Sequence, residues 1–233
     1  MIPLNQLLTH GDFLKQIAGF SRLSFSQFGE DLLVHEYILQ NRLSEKARYI
    51  DLGCFHPIKW SNTYGLYLLG WVGLAIDANP EMIDLFREGR RRDTAVHAGI
   101  HQAEGVFSMF QMGNGASNTF SVDHKRQRFQ NGASLGQRVK VPCQTVMNLL
   151  ETHLDLSCLD QYEYLDIDIE GLDEMVVSQI DWEWLPVRLV TVEIHAARVE
   201  AVIDSAIYRI LSEAGFRLEH YVQATAFFYR SRD

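Results

Sequence analysis

The stretch Arg48–Pro80, with the sequence RYIDLGCFHPIKWSNTYGLYLLGWVGLAIDANP, constrains the fold of this chain more than any other segment. Its first apolar run ends in Asp51, and Gly53 follows at once. A helical pattern over Ser61–Leu69 then precedes a second apolar run, which ends in Asp77. This order predicts a strand, a tight turn, a helix and a second strand, which form one βαβ half of a nucleotide-binding sheet.

The turn after the first strand contains one glycine, Gly53, and the bulky residues Cys54–Pro57 follow it. A dinucleotide site uses three glycines, G-x-G-x-x-G, so that the backbone can close on a pyrophosphate. Asp77, 24 residues after Gly53, still suits the hydroxyls of a ribose. The turn therefore favours a nucleoside cofactor without a phosphate chain, and S-adenosylmethionine is the commonest of these. An ordinary α/β turn with a capping aspartate is the alternative at this point.

The composition is that of an ordinary globular chain, 47% apolar and 22% charged, and predicts a single domain over residues 1–233. The net charge of −9 argues against a nucleic-acid partner, because nucleic-acid-binding surfaces are basic. Cys54, Cys143 and Cys158 are odd in number and lack metal-site spacing, so we expect reduced thiols in a cytoplasmic protein. Residues 1–20 have neither a basic start nor a long apolar core, which predicts no signal peptide and no membrane span.

Residues 1–44 predict an N-terminal helical cap. A broken amphipathic pattern over residues 4–18 predicts one or two short helices, which would cover the domain or pair two subunits in a homodimer. Ser24–Gln27 has the capping-box spacing, which predicts the start of a helix that runs to about Gln40.

Strands and helices alternate over the rest of the chain. Asn79 caps a helix that runs to about Glu88, and Arg90–Arg92 beside its end are expected to be a solvated cluster. The Gly/Asn/Ser-rich segment 112–136 predicts a long loop or lid. Further strands and helices are expected at Thr94–Ile100, Val106–Gln111, Tyr162–Ile169, from Gly171 to about Gln179, Val187–Ile194, Arg198–Ala214, Phe216–Val222 and Thr225–Arg230. We therefore predict an α/β fold whose mostly parallel sheet ends in an antiparallel hairpin.

Glycine or polar residues follow the predicted strands of this sheet. These residues are Gly53, Asp77, Gly99, Asp168 with Glu170, and Glu193 with His195. Because ligands bind at the carboxyl ends of the strands in open α/β sheets, the pattern predicts one common crevice.

Four motifs together resemble the FkbM family of S-adenosylmethionine-dependent methyltransferases. They are SQFGEDLLV (Ser26–Val34), YIDLGCFHP (Tyr49–Pro57), SNTYGLYLLGWVGLAIDANPE (Ser61–Glu81) and YLDIDIEG (Tyr164–Gly171). The resemblance implies a Rossmann-like class I methyltransferase fold: a seven-stranded, mostly parallel sheet with a C-terminal antiparallel hairpin and helices on both faces. It also implies methyl transfer to a hydroxyl, commonly of a sugar, a glycan or a secondary metabolite.

The resemblance implies a set of site residues. Asp51 and Gly53 fall under the methionine part of the cofactor, Asp77 matches the acid that holds the ribose, and Ala98–Ile100 falls beside the adenine. Asp168–Gly171 matches the D-x-E-G motif beside the transferring methyl. The expected cofactor-binding residues are Gln27, Asp51, Gly53, Asp77, Ala78, Gly99, Ile100 and Asp168. The family often has a second small residue where this chain has Phe55–Pro57, so His56, with Asn62, is expected to contact the acceptor.

A hydroxyl is a weak nucleophile, so a base or a metal must help to remove its proton. Asp168 is the first choice for the base and His195 the second, with Glu170 beside them; Glu170 could equally cap the following helix. His56 and His101 are weaker candidates. A magnesium-type ion is the rival arrangement, since hard ligands are available for it in Asp168, Glu170, Glu193 and His195.

The segment from His124 to Leu150 contains no Asp or Glu, although the chain as a whole is acidic. Lys125, Arg126 and Arg128 within it are expected to recognise an anionic acceptor if the loop folds over the crevice. Two other functions remain open: a non-catalytic S-adenosylmethionine-binding or scaffold protein, and a nucleotide-dependent oxidoreductase, which the missing glycines disfavour.

Overall fold

A computed structural model describes residues 19–41, 43, 46–112, 118–121, 126, 135–196 and 198–231. The predicted helices within residues 4–18 lie outside this part of the chain, as do Lys125, Arg128 and most of the predicted loop 112–136.

Seven strands form the central sheet, in the order β3-β2-β1-β7-β8-β10-β9. They are β1 Arg48–Leu52, β2 Val72–Asp77, β3 Thr94–His97, β7 Tyr162–Ile167, β8 Leu189–Glu193, β9 Arg217–Val222 and β10 Thr225–Tyr229. The strands are parallel except β10, which runs antiparallel to both β8 and β9. The predicted fold class, including the reversed C-terminal hairpin, is therefore confirmed.

Helices cover both faces of this sheet. They are α1 Glu30–Gln40, α2 Tyr64–Leu68, α3 Pro80–Gly89, α4 Val146–His153, α5 Asp173–Gln179, α6 Val199–Ile203 and α7 Ala206–Glu213, with a 3-10 helix at Leu156–Gln161. On one face α1 and α2 pack on side chains such as Tyr49 and Phe227. On the other face α4, α5 and α7 pack on alternate residues such as Ile50 and Phe228. Because both faces are covered, the strands read in the sequence as nearly continuous apolar runs.

A smaller sheet adjoins the carboxyl end of β3, with the order β4-β6-β5. Its strands are β4 Gly99–Ile100, β5 Gly105–Met112 and β6 Leu135–Gln144. The single strand predicted over Thr94–Ile100 is thus wrong in detail, because Ala98 separates two strands that belong to different sheets. The sequence pattern predicts β5 but not β6.

The predicted start of α1 at Ser24 is also wrong, since the helix begins at Glu30. The carboxylate of Asp31 accepts hydrogen bonds from the Phe25 backbone N–H and from the hydroxyls of Ser24 and Ser26. Short polar side chains of this kind hold the backbone in turns that compete with a helix. The helix predicted over Ser61–Leu69 is likewise shorter, and Arg198–Ala214 forms two helices.

Candidate functional site

The crevice lies where the chain order of the sheet reverses, between β1 and β7. From β1 the chain builds outward through β2 and β3, and from β7 it builds in the opposite direction through β8. Gly53 follows β1 at this point, with φ +86°. A β-carbon at this position would lie 1.8 Å from the Asp168 carbonyl oxygen, so only glycine allows the ends of β1 and β7 to approach so closely.

A first cavity opens beside Gly53, over the end of β2 and the small sheet. Most of its lining is apolar and includes Ile76, Ala98, Ile100, Met109 and Phe120. Asp77 and Ala78, two of the predicted cofactor-binding residues, also line it. Gly99 does not line it, because it lies against Cys143 and Phe120, each within 3 Å of where its β-carbon would be. A slot whose walls are mostly apolar and whose acids are Asp77, Asp168 and Glu170 fits a nucleoside.

Asp77 already holds two backbone groups. Its Oδ2 accepts from the Phe55 N–H at 2.8 Å, and its Oδ1 accepts from the Asn79 N–H at 2.7 Å. Burial raises the pKa of Asp77, while these two bonds favour the ionised form. A carboxylate has about four acceptor positions, so Asp77 retains the capacity to accept from ribose hydroxyls.

A second cavity adjoins the first, and both share Gly53, Phe55, Asp168 and Glu170. Carboxylates dominate its lining: Glu30, Asp51, Asp166, Asp168, Glu170 and Glu193. The predicted residues Gln27 and Asn62 also line it, whereas no Lys, Arg or His of the described residues does. Such a cavity favours a cationic group, because the like charges repel one another unless a cation or protons balance them.

Two of these carboxylates are adjacent across paired strands, since Asp51 of β1 is in register with Asp166 of β7. Burial, followed by the charge of Asp166, raises the pKa of Asp51 to about 7. Burial raises the pKa of Asp166 to about 6, against hydrogen bonds from Thr191 and Asn62. The sequence analysis missed Asp166, although the alternation Asp166-Ile167-Asp168 places both aspartates on one face of the strand.

Asp168 follows β7 and is exposed to the crevice. Desolvation by the surrounding walls, and then the charges of Glu193 and Glu170, raise its pKa well above the usual range. The exposed surface shows that water reaches this carboxylate in the open crevice, so a bound ligand would strengthen the desolvation. Asp168 thus combines access to both cavities with a shifted pKa, as a general base requires.

The turn after Asp168 is held by other side chains. The Asp173 carboxylate accepts from the N–H groups of Ile169 and Gly171, and the Thr119 hydroxyl donates to the Glu170 carbonyl at 2.6 Å. Glu170 does not cap α5, whose N-cap residue is Leu172. Instead Glu170 lies at φ +53°, between the two cavities.

The three predicted histidines lie beside the cavities rather than in them. His195 is half-exposed, and its Nε2 lies 3.1 Å from the Glu193 carboxylate. His56 accepts the N–H groups of Ile58 and Lys59 at its Nδ1, which holds a turn. His101 stacks on Phe107. Within the described residues no three or more His, Cys, Asp or Glu side chains are grouped so that they could hold a metal ion.

A buried cation that the sequence analysis assigned to solvent lies behind the second cavity. The expectation of a solvated Arg90–Arg92 cluster is wrong for Arg90, which is fully buried. Its guanidinium donates to the Pro57 carbonyl at 2.7 Å and to the hydroxyls of Ser61 and Thr63 at 2.6 and 2.8 Å. Neither helix periodicity nor the neighbouring arginines distinguish it, so no local signal could have found it.

The sheet order defines a Rossmann-like α/β fold, and the crevice lies at the switch point of the sheet, where ligands bind in such folds. The model of the FkbM methyltransferase domain matches residues 54–218, well over half of the chain, and the chain therefore belongs to this methyltransferase family. No curated protein matches the chain.

Among solved structures, the chain is similar to a TehB-like SAM-dependent methyltransferase from Corynebacterium glutamicum ATCC 13032 Kitasato. The identity is 12% and the TM-score 0.42, over 98% of this chain and 100% of the other. A likeness of this size carries no argument about function. No helix among the described residues is long and apolar enough to cross a membrane.

Proposed function

We propose that the chain is an S-adenosylmethionine-dependent O-methyltransferase that acts on a hydroxyl of a sugar, glycan or secondary metabolite. The observation that carries this proposal is the joined pair of cavities, an apolar slot beside Asp77 and a carboxylate-lined cavity beyond Asp168. The first fits a planar base and a ribose, and the second fits a cationic sulfonium next to an acceptor.

The cofactor, when bound, supplies a methyl group on a positively charged sulfur. In this proposal Ile76, Ala98 and Ile100 enclose the base and Asp77 accepts from the ribose. Gln27 and Asp51, which line the second cavity, face the methionine part. The carboxylates of this cavity favour the sulfonium because it balances part of their charge.

Asp168 is the proposed base. The cofactor would supply the methyl group to the acceptor oxygen, and the Asp168 carboxylate would accept the hydroxyl proton. Positioning supplies much of the rate, and a well-placed base contributes about 10² to 10⁴-fold. His195 is a second candidate, and Glu170 borders both cavities beside Asp168.

Other parts of the proposal rest on the sequence. Recognition of an anionic acceptor by Lys125, Arg126 and Arg128, a homodimer formed by the N-terminal segment, and assistance by a divalent metal at Asp168 and its neighbours remain predictions. A cytoplasmic location is supported by the three cysteines, which are buried and form no disulfide.

The decisive experiment measures the melting temperature with S-adenosylhomocysteine, with NAD, and with neither. We expect a rise with S-adenosylhomocysteine alone. A rise with NAD alone would indicate an oxidoreductase. A shift with S-adenosylhomocysteine but no methyl transfer to any hydroxyl acceptor would indicate a non-catalytic binding protein.

A further inference from the structure

The loop Phe55–Trp60 stands at the mouth of the second cavity in an uncommon backbone conformation. Phe55 has φ +47° and Trp60 has φ +58°, both in the left-handed region that bulky residues rarely adopt. Such strain persists where the surrounding structure holds it in place. The sequence HPIK between them contains no glycine that would relieve it.

The strained backbone brings two aromatic rings together at the cavity. The rings of Phe55 and Trp60 stack with centroids 5.9 Å apart and planes 23° from parallel. Both line the second cavity, and Phe55 also lines the first. Trp60 is 38% exposed, and the Lys59 ammonium lies 4.0 Å from its ring centroid. A large aromatic surface is thus kept at the entrance to the crevice instead of being buried in the core.

Arg90 holds the loop from behind. It bonds the carbonyl of Pro57, inside the loop, and the hydroxyls of Ser61 and Thr63, just after it. These contacts fix the middle of the strained segment and the residues after it to the end of α3, while the Phe55 N–H bonds to Asp77. The cation is in turn balanced by Asp93, 3.6 Å away, and both side chains are fully buried.

Polar groups line the same cavity as the aromatic pair. Gln27, Glu30 and Asn62 are among them, and Asn62 donates to Asp166. An apolar ring face beside hydrogen-bonding groups suits a molecule that has one apolar face and a polar rim.

We propose that Phe55 and Trp60 form a ring-stacking subsite for the acceptor, that the acceptor is a sugar ring, and that Arg90 is the positioning residue of this subsite. A sugar ring presents C–H groups on one face and hydroxyls at its rim, so it can stack on the aromatic pair while its hydroxyls bond to Gln27 and Glu30. A flat phenol would leave most of the polar lining unpaired, which costs free energy at each buried group. The inference rests on the proposed function, since it assigns the acceptor of the same site.

The test uses methyl glycosides of hexoses, 6-deoxyhexoses and pentoses as probes, with simple phenols as the comparison. Methyl transfer and melting temperature are measured for the wild type, Trp60→Leu and the control Leu69→Ala, whose side chain is exposed away from both cavities. We expect transfer to at least one glycoside. Trp60→Leu should raise its KM about tenfold, with kcat changed less than threefold and the S-adenosylhomocysteine shift retained.

Three outcomes would overturn the subsite: transfer to phenols and to no glycoside, no transfer to either class by protein that binds S-adenosylhomocysteine, or an unchanged KM in Trp60→Leu. In each of them cofactor binding is retained. Loss of the S-adenosylhomocysteine shift in the wild type would instead refute the proposed function.

The role of Arg90 is tested with Arg90→Lys, which keeps the charge but cannot form the fork of bonds to Pro57, Ser61 and Thr63. Its KM for the glycoside should rise by more than threefold, and by a larger factor than the Kd for S-adenosylhomocysteine, because Arg90 bonds the loop directly but reaches Asp51 through Thr63. Arg92→Met at the same helix end is the control. If Arg90→Lys lowers the melting temperature and leaves KM as in the wild type, Arg90 supports only the fold and its positioning role is refuted.

Discussion

The cluster around Arg90 and the cluster around Asp168 both hold buried or crowded charges, but they are balanced in opposite ways. Around Arg90 one cation meets Asp93, two hydroxyls and a carbonyl, and its donors have partners inside the protein. Around Asp168 the neighbours that shift its pKa after desolvation are all carboxylates. The first arrangement is complete without a ligand, and the second favours one that carries positive charge.

Asp51 connects the two clusters. The Thr63 hydroxyl accepts from Arg90 and donates to Asp51 at 2.6 Å, while Asp51 lies in register with Asp166 on the crevice side. An aspartate therefore stabilises the fold beside Arg90 and remains available for chemistry in the crevice. The difference depends on whether the fold places a cation beside the carboxylate.

The largest expected effect comes from a substitution in the cluster around Asp168. Asp168→Asn should lower kcat by about 10² to 10⁴-fold, because it removes the proposed base. The melting temperature should stay the same or rise, since a repelling charge is lost. Methyl-transfer rates and thermal melting measure both, with Asp84→Asn on the exposed side of α3 as the control. A drop in melting temperature with an unchanged kcat would show that Asp168 stabilises the fold and is not the base.

The next largest effect comes from a substitution in the cluster around Arg90. Arg90→Met should destabilise the protein by about 3–5 kcal/mol, because it leaves Asp93 buried without its cation. Denaturant unfolding measures this free energy. A loss below about 1 kcal/mol would mean that the buried pair contributes little and that packing alone holds α3.

The pH dependence sharpens the comparison. The pKa of Asp51 is raised from 3.8 to about 7 in the folded state, so the folded state holds this proton to higher pH than the unfolded chain. Its contribution to stability is therefore complete below about pH 3.8 and is lost as the pH rises towards 7. We expect the ligand-free wild type to melt at a higher temperature at pH 5.5 than at pH 7.5.

Asp51→Asn is the matched variant for this dependence, because it keeps the shape but cannot titrate. The difference between pH 5.5 and pH 7.5 should shrink in this variant, at constant ionic strength. An equal dependence in the variant and the wild type would assign it to other groups.

The smallest expected effect comes from Arg92, which lies near the same end of α3 as Arg90 but is exposed. Arg92→Met should change the free energy of unfolding by no more than about 0.5 kcal/mol, since Arg92 is exposed and its contacts with the ring and the carbonyl of Tyr67 lie at the surface. Denaturant unfolding beside Arg90→Met provides the measurement. A loss comparable with that of Arg90→Met would remove the distinction between the two arginines.

Local patterns in the sequence are enough to predict the central sheet and the edge of the sheet that carries the site. Apolar runs, single glycines and acids after strands are local signals, and Gly53, Asp77 and Asp168 all lie where these signals place them. The start of α1 and the break between β3 and β4 were decided by hydrogen bonds and by pairing with a second sheet, which residue periodicity does not encode.

How the charges are balanced depends on contacts that form only in the tertiary structure. Arg90 and Arg92 are two residues apart in a run of arginines, yet one is fully buried and the other exposed. Asp166 and Asp168 are likewise two residues apart, but their surroundings come from residues far along the chain. Asn62 and Thr191 donate hydrogen bonds to Asp166, whereas the charge of Glu193 raises the pKa of Asp168. The free energy of a charge depends on what surrounds it in space, and neighbours in space are set by the fold rather than by neighbouring residues in the sequence.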